Sequence, residues 1–324
     1  MASITPFQPK KIQLETFVRY VPLLLILLLF IIFSLTSTAF IKFRNLVEIL
    51  QLSSIYLLLA AGETFPVLMG SIDLSIGGII VASGVIAATI APYGGIGTVV
   101  LILVIALLLG MLNGLIVAFL KLPSFIVTLA TWFIYAGIAI ALTEGYNINI
   151  RSNQFSNISN GRFIPGIPNL ILWALLIYFL FVFLSEKTKM GRYIFAIGGK
   201  EDVAARMGIN VGKYKIIAFS ICGLLVGAGT LLLSSRLGMA SARLGSSYLF
   251  NALIAVVLGG TALSGGVGGV RKTILGVLII TMMENGMNLS GVDIRVQYIV
   301  KAAILIAGVY VISIPDRSKQ TIMK

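Results

Sequence analysis

The 324-residue chain contains no histidine and a single cysteine, Cys222, set inside an apolar run. Without imidazole or paired thiols it cannot build the usual zinc and iron sites or a His-based proton relay. One cysteine also makes no disulfide framework. Charge is scarce: 11% of residues are Asp, Glu, Lys or Arg, against about a quarter in soluble domains. There is no Gly-x-x-x-x-Gly-Lys-Ser/Thr stretch, so no P-loop is available to hold ATP. The in–out alternation of a membrane β-barrel is missing as well. These absences exclude a soluble enzyme, a disordered chain and a disulfide scaffold. No nucleophile–base pair or metal set supports a membrane enzyme either.

What is abundant is apolar surface. Hydrophobic residues make up 58% of the chain, more than one soluble core can hide, and the natural unit becomes the membrane span of ~20 residues. Apolar segments fall at 20–40, 46–69, 76–91, 97–120, 124–143, 169–185, 214–234, 250–263, 272–290 and 297–313. A backbone in lipid must satisfy its own hydrogen bonds, so the expectation is an all-α integral membrane protein of about ten transmembrane helices. The first run is too long for a signal-peptide core and no small-residue cleavage site follows it, so it reads as a retained span. Segments 76–91 and 250–263 are short of a full crossing.

The net charge of +13 comes from 24 Lys and Arg against 11 Asp and Glu. In a membrane chain such an excess marks cytoplasmic loops rather than a nucleic-acid partner. With ten passes and the N-terminus inside, sixteen basic residues fall on the cytoplasmic side and seven outside, with Lys301 inside the last span. Both termini are therefore expected in the cytoplasm. The chain divides into a tail at 1–19, one transmembrane domain at 20–313 and a tail at 314–324. The outer segment 144–168, rich in Asn and Ser and closed by Pro165 and Pro168, reads as a solvated loop.

An internal similarity links residues 93–114, from Tyr93-Gly94-Gly95 to Asn113-Gly114, with residues 264–286, from Ser264-Gly265-Gly266 to Asn285-Gly286. These are spans four and nine, which cross in opposite directions. Two inverted five-helix repeats, a common transporter construction, are the implied architecture.

Two stretches stand out. In Gly62 to Gly78 two carboxylates, Glu63 and Asp73, lie between apolar runs together with Pro66, Gly70 and Gly77. A carboxylate at membrane depth costs a few kcal/mol and calls for a partner, a cavity or water. Pro66 and the glycines predict a broken helix. Asp73 suits a cap on the helix that follows, and with Glu63, Thr64 and Ser75 it is also a candidate for lining a translocation path. The counterpart in the second half is the short segment Phe250 to Leu263, with Asn251 and Thr261. Asn113 and Asn285 either line the path or hydrogen-bond between helices. Glu284 calls for a cation, with Arg295 and Lys301 the choices. The glycines of 259–269 fit a tight turn better than a phosphate site, since no Lys-Ser/Thr step follows.

The second stretch is the long basic loop 186–213. Glu201 and Asp202 suit the first turn of a short helix, Ala204 and Ala205 favour its middle, and Gly208 ends it. Its small residues would let a partner come close; the alternative is a helix resting on anionic lipid.

On these stretches the chain resembles the permease subunits of bacterial ABC importers for ribose, xylose, arabinose and galactose. The resemblance runs from about residue 20 to residue 313. It rests on Gly70-Ser71-Ile72-Asp73-Leu74-Ser75-Ile76-Gly77, on Pro123-Ser124-Phe125-Ile126-Val127-Thr128-Leu129-Ala130-Thr131 and on Ala196-Ile197-Gly198-Gly199. It continues with Gly208-Ile209-Asn210-Val211, Val257-Leu258-Gly259-Gly260-Thr261 and Glu284-Asn285-Gly286-Met287-Asn288-Leu289. The resemblance implies sugar import across the bacterial inner membrane, with no cofactor on this chain and ATP on a partner subunit. The implied partners are cytoplasmic ABC ATPase subunits, an external solute-binding protein and a second permease copy, with membrane lipid around them. It also makes 186–213 the coupling loop, contacting the ATPase through Glu201, Asp202, Ala204, Ala205 and Gly208. Asp202-Val203 departs from the family's Glu-Ala-Ala pattern there. Autoinducer-2 import in the same family, and an ion-coupled carrier using Glu63, Asp73 or Glu284, are the competing readings.

Overall fold

The computed structural model describes the backbone of residues 10–91 and 96–320, and the side chains of 20–91 and 96–310. The ends of both predicted tails and Tyr93-Gly94-Gly95 of the repeat lie outside the described residues.

The described residues are mostly helical. The helices that carry the apolar segments are α1 (Lys10–Thr36), α2 (Phe43–Leu68), α3 (Ile76–Ile90), α4 (Ile96–Leu120), α5 (Ser124–Thr143), α7 (Asn169–Lys187), α10 (Val211–Leu237), α11 (Gly245–Leu258), α12 (Thr273–Leu289) and α13 (Ile294–Gln320). Among the described residues α2, α4, α5, α7 and α10 are long and apolar enough to cross a membrane, and Tyr20–Thr36, α3 and α11 are shorter apolar helices. Three further helices lie in the connections: α6 (Asn153–Asn160), α8 (Lys189–Gly199) and α9 (Glu201–Arg206).

Helix α10 is the centre of the bundle and packs on α4, α2 and α3. Its crossing with α4 is made by small residues one turn apart: Ala106 and Gly110 on α4 face Gly227 and Gly223 on α10, and Gly114 lies against Ile216 and Phe219. A Cβ on Gly110 would lie 2.9 Å from the Gly223 Cα. With no water to squeeze out, helices in lipid associate through such close backbone contact.

Two helix ends differ from the sequence expectation. Helix α2 runs through Pro66 and breaks at Gly70 (φ 72°), where Gly70 N–H donates to Val67 O and Ser71 N–H to Pro66 O. Pro66 stands in the last turn, so only one hydrogen bond is lost to it. Gly77 takes no part in the break: it lies in α3, where a Cβ would meet the Trp132 indole at 2.8 Å. Helix α11 stops at Leu258 rather than Leu263. Gly260 (φ 87°) donates to Val257 O and Thr261 N–H to Val256 O, the double bond of a left-handed helix terminus. Hydropathy missed this because the Gly259-Gly260 pair is embedded in apolar sequence.

The segment 144–168 is also more ordered than a solvated loop. Strand β1 (Ile148–Asn149) pairs antiparallel with β2 (Met239–Ala240), the segment after α10. Helix α6 is capped by Ser152, whose Oγ accepts from Phe155 N–H at 3.2 Å. It buries Phe155 and Ser159 against α10, where Ser235 Oγ donates to Phe155 O at 2.6 Å and Ser159 Oγ donates to Leu232 O at 2.8 Å.

Candidate functional site

The break between α2 and α3 gathers four of the predicted residues. Glu63, Asp73, Ser75 and Asn113 are all fully buried. Glu63 Oε1 accepts from the Asp73 N–H at 3.1 Å, and Cys222 Sγ sits 3.9 Å from Glu63 Oε2. Asp73 Oδ1 accepts from Ser75 N–H at 2.9 Å and from Ser75 Oγ at 2.5 Å. Asn113 Nδ2 of α4 then donates to Ser75 Oγ at 2.6 Å. Asp73 thus turns the chain into α3 by accepting from the residue two on, while Ser75 occupies the cap position itself. The freed backbone of the break is held from α5: Ser124 Oγ accepts from Ile72 N–H, and Thr128 Oγ1 accepts from Leu74 N–H at 3.0 Å. Asp73 Oδ2 and Asn113 Oδ1 have no hydrogen-bond partner among the described residues.

Thr64 is not part of this group; its Oγ1 lies 2.9 Å from Thr273 Oγ1, tying α2 to α12. Asn251 belongs to a second cluster built on Glu284. Its Nδ2 donates to Glu284 Oε2 at 2.9 Å and to Tyr56 Oη at 2.6 Å. Tyr56 Oη donates to the same carboxylate oxygen at 3.2 Å, and Lys301 Nζ stands 3.3 Å from it. Lys301, rather than Arg295, is therefore the counter-ion. A buried ammonium and a half-buried carboxylate, with a phenol and an amide, form one polar patch joining α2, α11, α12 and α13. Tyr56 was not legible in the sequence, because a tyrosine inside an apolar run gives no signal until a charge is found opposite.

Asn285 does not reach the Glu284 cluster. It makes a reciprocal amide pair with Asn45, at 3.0 and 2.9 Å, which is interhelical bonding between α12 and α2. Thr261 is displaced from Asn251 by the early end of α11. It lies in the α11–α12 turn, where its Oγ1 accepts from Gly269 N–H at 3.2 Å.

At the other end of α10 the segment 186–213 holds two helices where one was expected. Thr188 caps α8, and α8 buries Gly191, Ile194 and Ile197. Helix α9 has Glu201 and Asp202 in its first turn, buries Ala204 and exposes Val203 and Met207. It ends at Gly208 (φ 82°), with Ile209 N–H bonded to Ala204 O. Lys215 of α10 binds Glu201 at 2.8 Å.

These helices touch the helix breaks directly. A Cβ on Gly198 of α8 would collide with Leu68 O and lie 2.6 Å from Gly266 N. Gly266 N–H itself donates to Leu68 O at 3.0 Å. A Cβ on Gly265 would stand 2.6 Å from Gly70 N and 3.0 Å from Gly198 O. The ends of α8 and α2 and the α11–α12 turn therefore meet backbone to backbone. From that junction Asp73 is three residues beyond Gly70, and Thr261 leads back into α11 and Asn251.

Residues 45–309 match the family described as branched-chain amino acid transport system / permease component. The chain belongs to that family. It is therefore a membrane permease with several apolar helices. The ribose import permease protein RbsC of Escherichia coli K12 is 37% identical over 305 residues, covering 92% of this chain and 93% of the relative. RbsC of Bacillus subtilis is 37% identical over 307 residues, covering 92% of each. The xylose transport system permease protein XylH of Escherichia coli K12 is 32% identical over 371 residues, covering 95% of this chain and 94% of the relative. No solved structure gives a significant match.

Proposed function

We propose that this chain is the transmembrane subunit of an ATP-driven importer for a simple sugar, a pentose or hexose, in a bacterial cytoplasmic membrane. The observation that carries the reading is the likeness to ribose and xylose permeases along almost the full length of both chains. ATP is bound and hydrolysed on separate ATPase subunits, and solute arrives on an external binding protein. A second permease copy completes the path.

The transmembrane domain, residues 20–313, is taken as ten spans in two inverted halves, with both termini in the cytoplasm. The partners of corresponding helices support the repeat: α10 packs on α4 and α3, as α2 packs on α12 and α11. The sixteen-to-seven bias of basic residues supports the orientation.

The mechanism follows from the junction at Gly198. An ATPase gripping Glu201, Asp202, Ala204, Ala205 and Gly208 moves α8 and α9 as one piece. That displacement is delivered to the end of α2 and to the α11–α12 turn, because no side chain lies between the backbones to absorb it. The path residues, Glu63, Asp73, Ser75 and Asn113 on one side and Asn251 with Tyr56 and Glu284 on the other, then exchange partners between two access states. Thr64, Thr261 and Asn285 brace the helices that carry them. Coupling of this kind requires that ATP binding favour one access state over the other. The specificity for a sugar resides mainly in the external receptor.

Reconstitution into liposomes tests the reading. Sugar uptake should require ATPase subunits, binding protein and ATP together. Uptake by the permease alone under a sodium or proton gradient would favour an ion-coupled carrier, whose titrating groups would be Glu63 and Asp73. Uptake of autoinducer-2 and not of pentose or hexose would keep the class and change the solute.

A further inference from the structure

The bundle is not closed on all sides. Between α4 and α7, on the membrane face that carries α6, lies a cavity of about 770 Å³. Leu103 and Ile177 form its walls and Leu231 of α10 its floor; Asn157 and Arg162 stand at its rim. Ile96, which lines the cavity, is exposed, as are Val100 and Leu176 on the same two helices, so the groove is open on a face of apolar side chains.

The rim is fixed in place. Buried Asn169 ties down both neighbours of Arg162: its N–H donates to Gly161 O at 2.7 Å, and its Oδ1 accepts from Phe163 N–H at 2.7 Å. The Phe163 and Trp173 rings meet edge to face, 6.1 Å apart, at the same level. Trp is enriched at the membrane–water boundary, which is where the end of an apolar span beside a polar rim is expected to lie. Arg162 is exposed and belongs to none of the ion pairs among the described residues.

We propose that this groove binds one anionic phospholipid, with an acyl chain along Leu103, Ile177 and Leu231 and the phosphate on Arg162. An apolar well under a guanidinium that has no ion-pair partner among the described residues, carried on a pinned backbone, matches the two ends of such a lipid. A second copy of this chain fits less well. Covering the mouth with apolar protein would strip water from Arg162 without bringing it an anion, which is costly. The site is separate from the proposed path and does not depend on the transported solute.

Trp173 lines the groove and reports on its contents. Trp132 is the only other tryptophan of the chain, so Trp132→Phe leaves one fluorophore. The full-length chain is placed in vesicles with rising fractions of phosphatidylglycerol or phosphatidylcholine brominated on the acyl chain. The brominated anionic lipid should quench Trp173 at about fivefold lower mole fraction than the zwitterionic one, as one guanidinium near the surface implies. Arg162→Ala should bring the two curves together while leaving quenching itself intact. Identical curves for both lipids in the unmodified rim would overturn the proposal. So would no quenching by either lipid, which would mean that protein covers the groove. Should Trp132→Phe fail to fold, subtracting the curve of Trp173→Phe from that of the unaltered chain gives the same comparison.

Discussion

Gly198 is where the proposed coupling is most exposed to a small perturbation. The position of its missing Cβ is already filled by Leu68 O and Gly266 N, both backbone atoms that cannot rotate away. Gly198→Ala therefore forces α8 off the end of α2. Overpacking of this kind costs about 1–3 kcal/mol, and parting Gly266 N–H from Leu68 O adds about 1 kcal/mol. The better helix propensity of alanine returns at most about 1 kcal/mol. The net is ~1–3 kcal/mol against the docked junction, a roughly five- to 150-fold change in its population. Gly199 is the internal control, because a Cβ there meets nothing within 4 Å. The assay is the ratio of sugar taken up to ATP hydrolysed in liposomes carrying the complete transporter. Gly198→Ala should lower that ratio severalfold while the chain still inserts, and Gly199→Ala should leave it unchanged. Equal ratios for Gly198→Ala and wild type, or equal damage from both variants, would refute transmission through this contact.

Three further outcomes are expected. Lys301→Met leaves the half-buried Glu284 carboxylate without its cation and should cost about 1–2 kcal/mol, read as a lower melting temperature in detergent; Glu284→Gln added to it should restore most of the loss, and a stable single variant would show that the pair is dispensable. Asp73→Ala removes the acceptor that turns the chain into α3 and should impair uptake, whereas Asp73→Asn keeps an acceptor and should retain most of it; normal uptake and stability in Asp73→Ala would reduce Asp73 to an incidental polar residue. Gly208→Val places a branched side chain at φ 82°, costing at least about 1–2 kcal/mol; since nothing crowds the site, the damage should appear as ATP hydrolysis without uptake, and unchanged transport would remove Gly208 from the coupling surface.

The apolar runs were readable because a membrane writes its thickness into hydropathy: each of the ten segments overlaps a helix, and five of those helices are long and apolar enough to cross a membrane among the described residues. Ends inside apolar sequence were not. Gly259-Gly260 terminates α11 through a left-handed turn that hydropathy cannot register, and Thr261 was misassigned with it. Helix α6 was hidden by its Asn and Ser content, which reads as loop until Phe155 and Ser159 find α10. Helix α8 is obscured by Gly198-Gly199, a pair that is a poor helix former, although Gly198 is small for the sake of a backbone contact. Of the polar residues, Glu63, Asp73, Ser75 and Asn113 were legible because each is anomalous in an oily run. Their mutual hydrogen bonds, like those of Tyr56 and Lys301 to Glu284, join residues too far apart in sequence for spacing to reveal.

The central claim is that a separate motor moves this permease through α8 and α9. Met207 is 78% exposed on that surface, while the only native cysteine, Cys222, is fully buried. Met207→Cys can therefore carry a photo-crosslinker in native membranes with little background. A covalent adduct to an ATPase subunit, with a yield that changes when ATP is bound, is the predicted result. Adducts only to lipid or to a second permease, with sugar uptake intact, would contradict the claim.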